Sequence, residues 1–139
     1  MAVAMQYGSG IYSGKRTDSG ITMTLLWTNS SPASSFAAQK VSLDLSGYDA
    51  VLVLYRYGIS TDRLNSLILP MNAASGLLLQ AGNFGSANGY IFVRNISDID
   101  STGITFDASY RRALNSSSAA SSTGDYCYPI YIYGIKGIQ

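Results

Sequence analysis

Apolar residues recur along the chain in short runs of strand length, separated by turn-forming residues. The segments 41–45 and 104–109 alternate apolar and polar positions. A period of two places every second side chain on the same face of a strand, so each segment is predicted to be a strand with one buried face.

Two other segments, 51–57 and 128–135, are apolar or aromatic on both sides for most of their length. Strands of this kind lie inside a sheet whose two faces are both covered. The sequence therefore predicts two central strands here, each shielded on both sides.

The segments 23–27, 67–71, 77–81 and 90–96 bring the predicted total to about eight strands, with no amphipathic helix between them. The segment 108–120 has some helical character, but its serine-rich end, 116–122, favours a loop. This pattern predicts an all-β fold, an antiparallel β-sandwich or jelly roll of about eight strands. A single sandwich domain is expected over 21–139, after an extended N-terminal arm over 1–20 that is rich in Gly, Ser and Tyr.

Composition narrows the possible partners. The 139 residues are 47% hydrophobic and only 12% charged, with a net charge of +1. No nucleic-acid partner is expected at this charge, and no apolar run has the roughly 18 residues of a membrane span. Residues 1–10 lack the pattern of a secretory signal. So few charges on so apolar a chain predict exposed apolar patches, and hence a homo-oligomer.

The catalytic repertoire is small. The chain has no histidine, no glutamate and one cysteine, so Ser-His-Asp triads and His/Cys zinc sites cannot be built. We therefore expect a non-enzymatic protein without a metal or cofactor; an aspartate-dependent glycan hydrolase is the disfavoured alternative. The segment 98–103 resembles the first half of a calcium loop, but Ser109 stands where the bidentate glutamate belongs, so a polar turn is predicted.

Eleven tyrosines suit a recognition surface, because tyrosine offers a large contact area with little side-chain entropy to lose. Tyr55, Tyr131 and Tyr133 are expected to fill sheet faces. Trp27 is predicted to lie in the core, on the same face as Met23 and Leu25, and Cys127 to be a small buried residue. Candidate binding residues come from the loop 83–88 and from the start of the serine-rich loop; they are Asn83, Phe84, Asn88, Tyr110, Arg111 and Arg112.

Residues 26–29, 35–39 and 41–51, together with the ending 128–137, resemble C-terminal domains of tail-fibre, receptor-binding proteins from phages and prophages of Gram-positive bacteria. The middle of the chain, 60–123, carries no such resemblance. The segments 41–45 and 48–57 are expected to be adjacent antiparallel strands joined at Ser46 and Gly47.

The resemblance implies a virion protein of the distal tail, commonly trimeric, made in the bacterial cytoplasm and released by lysis. It would bind the host surface through a cell-wall glycan. The alternative is a purely structural virion component, either a tail-tip adaptor or a capsid decoration.

Overall fold

The computed structural model describes residues 6–7, 10–11, 20–58, 63–72, 76–83, 89–115, 121–123 and 125–138. These residues form strands and turns and contain no helix. The strands are β1 (Gln6–Tyr7), β2 (Gly10–Ile11), β3 (Thr22–Thr28), β4 (Gln39–Ser42), β5 (Ala50–Gly58), β6 (Leu64–Pro70), β7 (Leu77–Asn83), β8 (Tyr90–Asp100), β9 (Gly103–Ala113), β10 (Ser121–Thr123) and β11 (Tyr126–Lys136).

Two antiparallel sheets make a sandwich, as predicted. One is four-stranded in the order β3-β11-β5-β6, and the other is five-stranded in the order β10-β9-β8-β7, with β4 also pairing with β9. Eight of the strands are the predicted ones. The pairs β3-β11 and β4-β9 join strands far apart along the chain, whereas β5-β6 and β7-β8-β9 are formed by consecutive strands. Within the predicted arm, β1 and β2 pair with each other, and the remaining residues up to 19 lie outside the described residues.

The core lies between the sheets. Val53 and Ile132 from the four-stranded sheet and Leu79, Ile104 and Phe106 from the other are each at most 1% exposed. Because successive side chains of a strand point to opposite faces, each strand contributes every second residue to this core. Burial of such side chains contributes about 1.5–3 kcal/mol each and holds the two layers together.

The predicted hairpin between 41–45 and 48–57 is wrong. The strand β4 pairs with β9, whereas β5 lies between β11 and β6 in the opposite sheet. The turn at Ser46 and Gly47, where Gly47 has a φ of 78°, carries the chain from one layer to the other. Both segments bury apolar residues, so they face each other across the core instead of pairing.

The interpretation of β3 is corrected in one respect. Trp27 packs against the core, as predicted, but Met23 and Leu25 are about half exposed. The register of β3 against β11 shifts between Ile132 and Tyr133, so that Trp27 pairs with Ile132 and Leu25 with Tyr133. An extra residue reverses the alternation of faces beyond the shift, and Leu25 therefore points away from the core.

Two further expectations differ from the structure. The segment 108–113 is neither helix nor loop but the end of β9, which pairs with β8 as far as Ala113. Residues 121–123 then add β10 beside β9. Strands β5 and β11 are central, as predicted, but their outer sides are only partly covered within one chain. Ala50 and Ile135 are buried there, whereas Leu52 and Leu54 stay partly exposed. No helix among the described residues is long and apolar enough to cross a membrane.

Candidate functional site

One end of the sandwich gathers an aromatic cluster, consisting of Tyr57, Tyr90, Phe92 and Tyr126 together with Arg111. Tyr57 lies near the end of β5, while Tyr90 and Tyr126 are the first residues of β8 and β11. These strands belong to both sheets, so the cluster bridges the two layers. The connecting segments 59–62, 84–88 and 116–120 lie outside the described residues.

Phe92 is the centre of the cluster. It is 6% exposed, and its ring centroid lies 4.7 Å from that of Tyr126, 5.5 Å from that of Tyr57 and 6.3 Å from that of Tyr90. The three tyrosines are only half-buried. Such ring contacts contribute about 0.5–1.5 kcal/mol per pair beyond simple burial, so Phe92 holds the tyrosines in place while part of each remains open to solvent.

Arg111 completes the cluster from the neighbouring strand. It pairs with Phe92 across β8 and β9, and directly opposite residues of an antiparallel pair project on the same face. Its Cζ atom lies 5.3 Å from the ring centroid of Tyr90 and 6.0 Å from that of Tyr126. Arg111 is exposed, so its guanidinium combines a cation–π contact with donors available to a ligand.

A buried arginine supports the cluster from below. Arg94, two residues after Phe92, is 0% exposed, and its side chain donates to the carbonyl oxygens of Phe36, Asp107, Tyr126 and Cys127. Its guanidinium also lies over the Phe36 ring, with 5.2 Å between Cζ and the ring centroid. Burial lowers the pKa of Arg94 to about 10, which leaves it charged at neutral pH.

The backbone at the start of β11 needs that support. Cys127 has a φ of 45°, a left-handed conformation that costs a residue with a side chain free energy. Such a conformation persists only where the surroundings hold it, and Arg94 bonds the carbonyl oxygens of both Cys127 and Tyr126. Cys127 itself is buried, as predicted, and burial raises the pKa of its thiol to about 12. It is therefore a structural residue that helps to orient Tyr126.

The structure separates the predicted binding residues. Arg111 lies in the aromatic cluster, and Asn83, at the end of β7, pairs with Tyr90 and so projects on the same face. Tyr110 and Arg112 flank Arg111 in β9 and project from the opposite face of the sheet, because alternate residues of a strand face opposite ways. Phe84 and Asn88 lie outside the described residues.

Sequence reasoning did not single out Tyr57, Tyr90 and Tyr126. Their shared signal is position, since each is an aromatic residue at or next to the end of a strand. In proteins generally, binding residues are concentrated where a rigid scaffold ends and its connecting segments begin. That Phe92 gathers them into one cluster depends on the packing of the two sheets.

The acidic residues do not converge in the described part of the chain. Asp100, in the turn between β8 and β9, accepts from Thr102 and from Lys40, and Asp44 accepts from Ser46. The hydrogen bonds to Asp100 lower the pKa of its carboxyl to about 2, and the bond from the Thr102 hydroxyl has the largest effect. Of the predicted polar turn over 98–103, Ser101 and Thr102 form the turn, whereas the other residues belong to β8 and β9. The described residues contain no group of three or more acidic, Cys or His side chains that could hold a metal ion.

Comparisons with protein-family models, with characterised proteins and with solved structures found no match. The resemblance to tail-fibre domains therefore remains a prediction from the sequence, and the structure establishes the β-sandwich fold.

Proposed function

We propose that this chain is a non-enzymatic recognition domain of a phage or prophage virion, which binds a host cell-wall glycan through the aromatic cluster. The observation that carries the proposal is the set of three half-buried tyrosines, held by Phe92 and joined by the exposed Arg111.

The chemistry of this cluster suits a neutral sugar. Ring faces pack against the apolar C–H faces of sugar rings, while the tyrosine hydroxyls and the Arg111 guanidinium supply hydrogen bonds to sugar hydroxyls. Because the tyrosines are braced by Phe92, little side-chain entropy is lost on binding. A neutral ligand also needs no strong surface charge, in agreement with a net charge of +1.

The place in the virion follows from the resemblance in 26–51 and 128–137. A distal tail-fibre domain is made in the bacterial cytoplasm, assembles as a homo-oligomer with a trimer as the favoured order, and is released by lysis. A purely structural tail-tip adaptor or capsid decoration is the second candidate, and it would assemble without binding glycan.

An aspartate-dependent glycan hydrolase receives less support. Such enzymes place two carboxyl groups about 5–10 Å apart on either side of the scissile bond. Asp100 and Asp44 are tied to their own turns, Asp107 bonds Ser97, and Asp49 accepts from the backbone nitrogen atoms of Gly137 and Ile138. These four carboxylates hold local structure.

The test is co-sedimentation of the full chain with isolated cell walls from a panel of Gram-positive bacteria. Retention is expected on at least one wall preparation, and Arg111→Ala or Tyr90→Ala is expected to weaken it about tenfold, equivalent to about 1.4 kcal/mol. Absence of retention across the panel would favour the purely structural candidate.

Arg112→Ala is the matched control, because it removes the same side chain one residue along β9 on the opposite face of the sheet. It should leave retention unchanged. Loss of retention with Arg112→Ala but not with Arg111→Ala would move the binding surface to the outer face, where Gln80, Gly82 and Ile91 line a shallow depression.

A further inference from the structure

The four-stranded sheet has an outer surface that is apolar across all four strands. We call it the apolar sheet face; it consists of Met23, Leu25, Leu52, Leu54, Leu64, Ile68, Tyr131 and Tyr133. The register places these side chains together, since Leu52 pairs with both Ile68 and Tyr133, and Tyr133 pairs with Leu25. Ile68 is 55% exposed and Leu25 is 50% exposed, although both point out of well-formed strands.

This surface differs from the outer surface of the other sheet. There, Gln80, Asn95 and Arg112 alternate with core residues, and Ser97 bonds Asp107. An antiparallel sheet in contact with water normally shows such polar residues on its solvated side. The four-stranded sheet instead has apolar residues on both sides, as a sheet between two packed layers does.

Charge favours a partner that is itself apolar. Among the described residues of the four-stranded sheet, the only charged side chain within this face is that of Arg56, which pairs with Leu64 towards the end bearing the aromatic cluster. Among the described residues, no aspartate side chain projects from this face. A net charge of +1 also gives copies of the chain little electrostatic reason to repel one another.

The area of the apolar sheet face is close to what a specific interface needs. The sheet has four strands, and its two edge strands have seven residues each. At about 4.8 Å between strands and about 3.3 Å per residue, the face measures roughly 19 by 23 Å, or about 440 Å² in projection. Two such faces give about 900 Å² before side-chain relief increases the accessible area, which approaches the ~1,000 Å² expected of a specific interface.

We infer that the apolar sheet face is the contact between copies of this chain, with the face of one copy packing against that of another. A predominantly apolar surface can pack against a second copy of itself, so the same side chains serve both partners. The interface covers the outer sides of β5 and β11, which the sequence predicts to be covered and which one chain leaves open. This inference rests on the homo-oligomer of the proposed function, gives it two-fold in place of three-fold order, and is independent of glycan binding.

The experiment is to measure the mass of the full chain in solution by light scattering and sedimentation velocity. The wild-type chain is expected to have the mass of two chains at micromolar concentration, because an interface that uses the same face on both partners has two-fold symmetry. Leu25→Glu places a charge in the interface and is expected to weaken association at least tenfold, giving the mass of one chain. Ser66→Lys, at an exposed polar position opposite Leu54 on the same face, tests the interface with little effect on the folded monomer.

Leu78→Glu is the matched control, because Leu78 is 37% exposed on the outer surface of the other sheet. It should keep the oligomeric mass. A wild-type chain that has the mass of one chain throughout the concentration range would overturn the inference, as would an oligomer that Leu25→Glu and Ser66→Lys leave intact. Cell-wall retention tests the two proposals separately. An interface variant that becomes monomeric and still binds cell walls supports both the oligomer interface and the separate binding site.

Discussion

Replacement of Arg94 by methionine tests whether one buried side chain holds the two sheets and the start of β11 together. Methionine fills a similar space but donates no hydrogen bonds. The carbonyl oxygens that Arg94 bonds belong to the segment before β4, to β9 and to the start of β11, so the substitution releases three parts of the chain at once.

The magnitude follows from which of these bonds are shielded from water. The bonds from Arg94 to the carbonyl oxygens of Phe36 and Cys127 are buried, whereas those to Asp107 and Tyr126 are partly open to solvent. A buried group left without its partner costs about 1–3 kcal/mol, so the two buried oxygens together cost about 2–6 kcal/mol. The substitution also removes the cost of burying the guanidinium charge, which offsets part of this loss. A net decrease of about 3–4 kcal/mol in the free energy of unfolding is expected.

Urea unfolding followed by the fluorescence of Trp27, the only tryptophan, measures this loss. The probe is close to the perturbation, because the ring centroids of Trp27 and Phe36 lie 6.2 Å apart. At about 3–4 °C per kcal/mol for a domain of this size, the melting temperature should fall by roughly 9–16 °C. Arg112→Met, which removes an exposed arginine from the same sheet, should change stability by less than about 0.5 kcal/mol.

An Arg94→Met protein within about 1 kcal/mol of the wild type would refute this reasoning. It would mean that the freed carbonyl oxygens find other donors and that the buried charge is replaced at no cost, as happens in some proteins.

Two other perturbations follow from local geometry. Gly134→Ala should destabilise the chain by about 1–3 kcal/mol, since an added Cβ would lie 2.5 Å from the Tyr48 ring. In denaturant titrations this loss of stability should be smaller in a Tyr48→Ala background. An equal loss in both backgrounds would contradict the clash. The pKa of Asp100 is lowered to about 2 by Thr102 and Lys40, so its carboxylate contributes stability above its ordinary pKa of 3.8, and this contribution is lost as the pH falls towards 2. Urea midpoints measured between pH 5 and pH 2 should therefore fall less for Asp100→Asn than for the wild type, and parallel curves would exclude Asp100 as a source of acid sensitivity.

The sequence by itself determined the fold class and most of the strands. Alternation in 41–45 and 104–109, continuous apolar character in 51–57 and 128–135, and turn residues between the runs all follow from the period of two that a strand imposes. These are local signals, and each can be recognised within about ten residues. The missing histidine and glutamate likewise limited the available chemistry without any structural information.

Only the tertiary structure decided which strands pair and which side chains meet. The partner of β4 is β9, more than sixty residues away along the chain, and no local pattern near Ser46 and Gly47 shows whether a turn closes a hairpin or crosses between sheets. The one-residue shift opposite Trp27 reversed the face of Leu25. Because a side chain's surroundings depend on register and on the facing layer, the aromatic cluster and the apolar sheet face emerge only once both sheets are assembled.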